Sequence, residues 1–221
     1  MAPNDDDPVW YVAYGSNCLA DRFHAYLTGV QAPGTSGAER GARNSRLPER
    51  SEPYVVPRPV RFCGSSRKWG GGVAFLDHHG PGETLGRRYL ITRGQFDDVA
   101  AQESGRARSS PALADLPVGT VCRVGPGWYD GLLLLGYADG IPELTFTAPD
   151  PPAGRRTEPP SAAYLATILL GLCEVHREPV DAIAERLLAA PGVAPEWTHA
   201  RIAALVDIWS DRLMPRTRAD S

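Results

Sequence analysis

The sequence predicts an α+β fold: a small mixed β-sheet or β-barrel with flanking helices and a C-terminal helical extension. Residues 9–14 alternate Trp10, Val12 and Tyr14 against Tyr11 and Ala13, apolar on both faces, as a strand inside a sheet must be. Further strand patterns recur at 59–63, 71–76, 85–91, 120–123, 131–137 and 142–147, interrupted by a short helix. From Pro159 onward the period becomes helical.

Composition bounds the function. A chain of 221 residues, 43% hydrophobic and 22% charged, suits one soluble domain with a sizeable core. A net charge of -3 gives no overall pull toward nucleic acid or an anionic membrane. The N-terminus, MAPNDDDPVW, is acidic where a secretory signal is positive, and the longest apolar run, Ala162 to Cys173, is too short to span a bilayer. Cys18, Cys63, Cys122 and Cys173 form no C-x-x-C pair and fit reduced thiols in a cytoplasmic protein. No feature indicates an oligomeric state.

Residues 1–8 read as a disordered acidic tail ahead of the strand at 9–14. Leu19, Phe23, Tyr26 and Leu27 then fall at helical spacing, with Ser16 or Asn17 as N-cap and Gly29 as the stop. Residues 30–57, rich in Gly, Pro, Ser and Arg, read as a long loop. Its basic residues suit either a solvated connection or a mobile lid for an anionic substrate.

After the strand at 85–91, Thr92 and Gln95 match a capping box. Phe96, Val99, Ala100 and Glu103 share one helix face, while Asp97 and Asp98 fall off it, toward expected solvent. Asp139-Gly140 signals a hairpin. Ser161 caps a helix carrying Tyr164, Ile168, Leu169 and Leu172, and two more helices are expected at 179–189 and 195–213. The expected organisation is one domain over 9–190 and a helical extension over 191–221.

Two features can carry chemistry. Glu103 points where its apolar neighbours point, and a carboxylate so placed can exchange protons near neutral pH. Alternatively, as a last-turn residue, it bends to solvent or pairs with Arg106 or Arg108. The turn Gly15-Ser16-Asn17 offers backbone N–H groups beside a helix start, suited to a carboxylate or oxyanion. The same residues also suit a plain strand–turn–helix junction.

Tyr14-Gly15-Ser16-Asn17 after an apolar strand resembles the signature of the gamma-glutamylcyclotransferase-like superfamily. Trp69-Gly70-Gly71-Gly72-Val73-Ala74-Phe75 resembles its Gly-Gly-led strand, Ala101-Gln102-Glu103-Ser104-Gly105 its short catalytic helix, and Pro159-Pro160-Ser161-Ala162-Ala163-Tyr164 its Pro-Ser-x-x-Tyr helix start. The resemblance implies that the backbone of Tyr14, Gly15, Ser16 and Asn17 binds substrate, that Glu103 is the acid/base, and that the Tyr164 hydroxyl reaches the site. It also implies closure of a γ-glutamyl group to 5-oxoproline with release of an amine, without metal or organic cofactor. The chain departs from the superfamily in Cys18, where Leu is usual, and in offering Leu144, Thr145 and Phe146 on a strand that can carry Tyr.

Two other readings remain. A non-catalytic module can keep the cradle and bind a small molecule without turnover. Asp77-His78-His79 resembles a fragment of a metal-dependent amidohydrolase or deacetylase site, but no H-x-x-x-H or Cys pair completes a ligand set.

Overall fold

The apolar stretch at the start of the chain forms β1 (Pro8–Ala13), with Val9 to Ala13 all buried. It is followed by a 3-10 turn (Ser16–Cys18) and α1 (Ala20–Thr28). Then come β2 (Arg50–Val56), β3 (Val60–Ser66), β4 (Gly71–Leu76), β5 (Thr84–Thr92) and α2 (Arg93–Ser104). The chain continues through β6 (Val121–Arg123), β7 (Gly131–Ala138), β8 (Ile141–Thr147), α3 (Ala162–His176), α4 (Val180–Leu188), α5 (His199–Ala203) and α6 (Leu205–Leu213). The structure, a computed structural model, describes residues 4–32, 35, 37–105, 116–150 and 152–213.

Six strands form one mixed sheet in the order β2-β5-β1-β8-β7-β6, and β3 pairs with β4 in a separate two-stranded sheet. β1 runs antiparallel to β5, with Trp10 opposite Leu90, and parallel to β8, with Trp10 opposite Glu143. Flanked on both edges and covered on both faces, β1 must be apolar throughout. The sheet is open between β2 and β6, so the barrel alternative gives way to a sheet with flanking helices.

β2 corrects the expectation of a structureless loop over 30–57. It pairs with β5 along its whole length, from Arg50 opposite Leu90 to Val56 opposite Thr84. Pro53 and the charges of Arg50 and Glu52 hid it, and both features suit an edge strand. Arg88 of β5 reaches Glu52 at 2.7 Å, and the Tyr54 hydroxyl donates to Glu143 at 2.9 Å, tying β2 across to β8.

The region before β2 covers α2. Gln95 Nε2 donates to the carbonyls of Asn44 (3.0 Å) and Arg46 (2.7 Å), and Arg43 meets Asp98 at 3.1 Å. Asp97 and Asp98, expected in solvent, are therefore 1% and 9% exposed. Asp97 pairs with equally buried Arg93 at 3.0 Å. A helix enclosed on its polar side needs such internal counterions, because an unpaired buried charge is costly. The capping box forms as expected, Thr92 and Gln95 each accepting from the other's backbone N–H.

The acidic tail is tied down from Asn4 onward. The carbonyls of Asp7 and Asp5 accept from Arg93 and Gly94 N–H at 2.8 Å each, so the segment closes over the start of α2. At the other end, the helix expected over 195–213 begins only after the Thr198 cap and divides into α5 and α6. Trp197, Ile202, Leu205 and Leu213 share the core that includes Val9 and Leu144. The C-terminal segment through Leu213 thus packs into the same body as the sheet. Among the described residues no helix is long and apolar enough to cross a membrane.

Candidate active site

Tyr14, Gly15, Ser16, Asn17, Glu103 and Tyr164 all line one cavity of about 480 Å³. Their positions follow from how the chain holds them. β1 leads into Tyr14, whose hydroxyl donates to the Phe146 carbonyl at 2.8 Å. The turn closes through Cys18 N–H to Gly15 O (2.9 Å) and Leu19 N–H to Ser16 O (3.2 Å). The N–H groups that open such a turn have no acceptor within it.

The cap of α1 differs from expectation. Leu19, not Ser16 or Asn17, is the N-cap, and it makes no side-chain capping bond. Asn17 is drawn the other way: its Nδ2 donates to the Tyr11 hydroxyl at 2.9 Å and to Glu103 Oε1 at 3.2 Å. Ser16 and Asn17 thus belong to a 3-10 turn that precedes the Leu19 cap, and they are not the N-terminus of α1 itself.

Glu103 ends the face built by Phe96, Val99 and Ala100, which are buried as their spacing predicts. Arg106 and Arg108, the alternative partners, lie outside the described residues. Behind Glu103 stands a polar network. Arg22, 1% exposed, donates to the Tyr26 hydroxyl at 2.6 Å and pairs with Glu39 at 2.6 Å. Lys68 Nζ reaches the same Glu39 oxygen at 2.8 Å. Burial raises the Glu39 carboxyl, but the hydrogen bonds and charges of Lys68 and Arg22 outweigh it and hold the group below its ordinary value. Burial first, then the Glu103 charge, pushes the Tyr11 and Tyr26 phenols well above theirs. Both phenols therefore stay protonated beside Glu103.

Tyr164 is set by the Ser161 cap, whose hydroxyl accepts from Tyr164 N–H at 3.3 Å. The Tyr164 hydroxyl accepts from Ala74 N–H at 3.2 Å, and Tyr129 donates to the Ala74 carbonyl at 2.9 Å. Gly15 matters here because a Cβ on it would stand 3.0 Å from that hydroxyl. The glycines after Trp69 admit the backbone before α3: a Cβ on Gly71 would stand 2.7 Å from Pro159 O, and Gly72 N–H donates to the same carbonyl at 2.9 Å.

Tyr11, Tyr26, Lys68, Trp128, Tyr129 and Phe146 also line the cavity, unmarked as site residues by the sequence reading. The one usable signal was Gly125-Pro126-Gly127, a turn that sets two aromatic residues at its exit.

The other reactive groups lie apart. Asp77 Oδ1 accepts from His79 N–H (3.3 Å) and Gly80 N–H (3.2 Å), so it closes a turn. The His78 and His79 ring centroids are 4.5 Å apart. Among the described residues no group of three or more His, Cys, Asp or Glu is arranged to hold a metal. Cys18 is fully buried, and burial pushes its thiol up to about 12 despite the Arg87 charge.

No protein-family profile matches the chain. A histone deacetylase 5 of Arabidopsis thaliana is 29% identical over 205 residues, covering 83% of this chain and 31% of that protein. The chain thus spans under a third of that relative's length. Among solved structures, a gamma-glutamyl cyclotransferase aligns over 91% of this chain and 98% of its own at 19% identity, with a TM-score of 0.48. An uncharacterized human protein aligns over 87% and 92% at 17% identity, with a TM-score of 0.49.

Proposed function

We propose that the chain is a gamma-glutamylcyclotransferase-like enzyme that closes a γ-glutamyl group to 5-oxoproline and releases an amine. The observation that supports this reading is the approach of Glu103 to the Gly15–Asn17 turn, with Glu103 Oε1 3.2 Å from Asn17 Nδ2. A proton-transfer group and a backbone cradle thus share one cavity. Asn17 Oδ1 is buried without a hydrogen-bond partner, so together with Glu103 it offers acceptors to a substrate ammonium.

The reaction suits these groups. Glu103 takes a proton from the α-ammonium, and the freed amine attacks the γ-carbonyl carbon of the same molecule. A C–N bond forms, and the oxyanion lies against the backbone N–H groups of the turn. The oxyanion then collapses, the bond to the leaving nitrogen breaks as Glu103 returns the proton to it, and the second proton on the new ring nitrogen passes through Glu103 to the released amine, which departs as its ammonium. Because both reacting groups belong to one molecule, the cavity's main task is to hold the folded conformer.

The test is 5-oxoproline release from a panel of γ-glutamyl conjugates by wild type and Glu103→Gln. The variant keeps shape and hydrogen bonding but cannot exchange a proton. Turnover is expected to fall at least ~10²-fold, the low end for general acid–base catalysis. An unchanged thermal midpoint separates this loss from misfolding. Near-full turnover by the variant removes Glu103 from the chemistry. Conjugate binding without product release from wild type favours a non-catalytic module. The Arabidopsis relative supports a second reading, deacetylation, which acetate release from an acetyl-lysine peptide would favour.

A further inference from the structure

The cavity is graded from floor to mouth. Tyr11, Asn17 and Tyr164 are 3%, 4% and 3% exposed, whereas Trp128 and the Lys68 side chain each retain 45%. The mouth residues come from separate segments: Lys68 and Trp69 from the turn between β3 and β4, Trp128 from the loop before β7. A γ-glutamyl group on the floor must send its leaving amine out between them.

Both indoles are braced. The Trp128 ring lies against the bare backbone of Gly64, where a Cβ would stand 3.2 Å from its Cη2. Its loop is pinned by Asp130, whose Oδ2 accepts from Gly127 N–H at 2.6 Å. Trp69 packs on Tyr164 with ring centroids 4.8 Å apart. A braced tryptophan left exposed at a cavity mouth is the type of residue that anchors a ligand.

The charge at the mouth is cationic. Lys68, the only lysine in the chain, lines the cavity and shares the Glu39 carboxylate with the buried Arg22, so its own charge is only partly offset by Glu39. An ammonium has three donors, and the described contact uses one of them on Glu39. A polyamine is repelled there, and a small neutral amine leaves both indoles uncovered.

We propose that this mouth is the leaving-group subsite and selects amines that carry both an aromatic ring and a carboxylate: the substrates are γ-glutamyl conjugates of aromatic amino acids. Trp69 and Trp128 receive the ring and Lys68 the carboxylate. The proposal rests on the cyclotransferase reading for the orientation of the substrate.

The experiment measures two quantities for γ-glutamyl-phenylalanine, γ-glutamyl-alanine and γ-glutamyl-phenylalanine amide. Binding to Glu103→Gln is followed by calorimetry, and 5-oxoproline release by wild type is followed directly. The phenylalanine conjugate is expected to bind at least about fivefold tighter than the alanine conjugate, from ring stacking, and tighter than its amide. In the Glu103→Gln background, Trp128→Ala should abolish the first preference and Trp128→Phe retain it, while Lys68→Met should abolish the second. Equal binding of all three conjugates overturns the proposal, as do preferences that survive Trp128→Ala and Lys68→Met. Discrimination in binding without 5-oxoproline from any conjugate sinks the cyclotransferase reading and leaves the subsite standing. Product formation without discrimination does the reverse.

Discussion

Gly15 and Tyr164 come from distant parts of the chain, and their contact decides how the turn is held. The hydroxyl that crowds any Cβ on Gly15 also takes the Ala74 N–H, and Ala74 is 1% exposed. Tyr164→Phe leaves that N–H buried and unpaired, at a cost of about 1–3 kcal/mol. Gly15→Ala forces a methyl against the hydroxyl, an overpacking cost of about 1–3 kcal/mol. The double variant loses the hydroxyl and with it the clash. Urea unfolding of wild type, both single variants and the double should show Gly15→Ala costing less in the Tyr164→Phe background than in wild type. Additivity within about 0.5 kcal/mol would mean the two residues do not interact. At this scale Gly15, Ser16, Asn17 and Glu103 could be picked out as candidates from the turn and from helix phase, Tyr14 and Tyr164 only through the family resemblance. Tyr11 and Tyr26 could not, because each reads as an ordinary core aromatic until folding brings Asn17 to one and the Glu103 charge of α2 to the other.

At the scale of elements, the approach of α3 to the cradle depends on Gly171. A Cβ there would collide with Leu19 N and stand 2.7 Å from Cys18 O, both backbone atoms that cannot rotate away. Two effects compete in Gly171→Ala. Alanine favours a helix interior over glycine by about 1 kcal/mol. Overpacking against a fixed backbone costs about 1–3 kcal/mol, and a contact this close belongs at the upper end. The clash should win, with a net loss of at least about 1 kcal/mol in urea unfolding at unchanged m-value. A gain in stability would show that α3 moves aside freely. Sequence periodicity revealed α3 and its Ser161 cap but could not mark Gly171, which inside an apolar helix reads as a mild propensity defect. β2 shows the converse: Pro53 and its charges argue against a strand, yet pairing with β5 outweighs local propensity at a sheet edge.

Across the whole molecule, most strands and helices were legible as periodic segments, but their order in the sheet was not. The parallel pairing of β1 with β8 joins segments far apart in the chain, Trp10 with Glu143, and nothing local in either strand specifies it. The same distance hid the mouth of the cavity, which needs the β3–β4 turn and the loop before β7 together. Burial of polar groups in this assembled core also sets a pH response. Burial lowers the pKa of His24 from 6.5, and the Arg87 charge adds to it against Asp21 and Glu174. Burial and the His79 charge, aided by Arg58, lower that of His78 from 6.5 against Asp77 and a backbone hydrogen bond. With folded values below the unfolded value, both groups bind protons more tightly in the unfolded chain. Their contribution to stability is fully present above pH 6.5 and is lost as pH falls through the folded values. The carboxylates of Glu39 and Glu52 are also lowered, from 4.5, so their losses come at lower pH. Thermal midpoints should therefore drop between about pH 7.5 and pH 5, above the carboxylate range. The double variant His24→Gln, His78→Gln should show a smaller drop over the same interval, because neither position can then take up a proton. An equal drop in both proteins would assign the acid sensitivity to other groups and leave these histidines without a role in it.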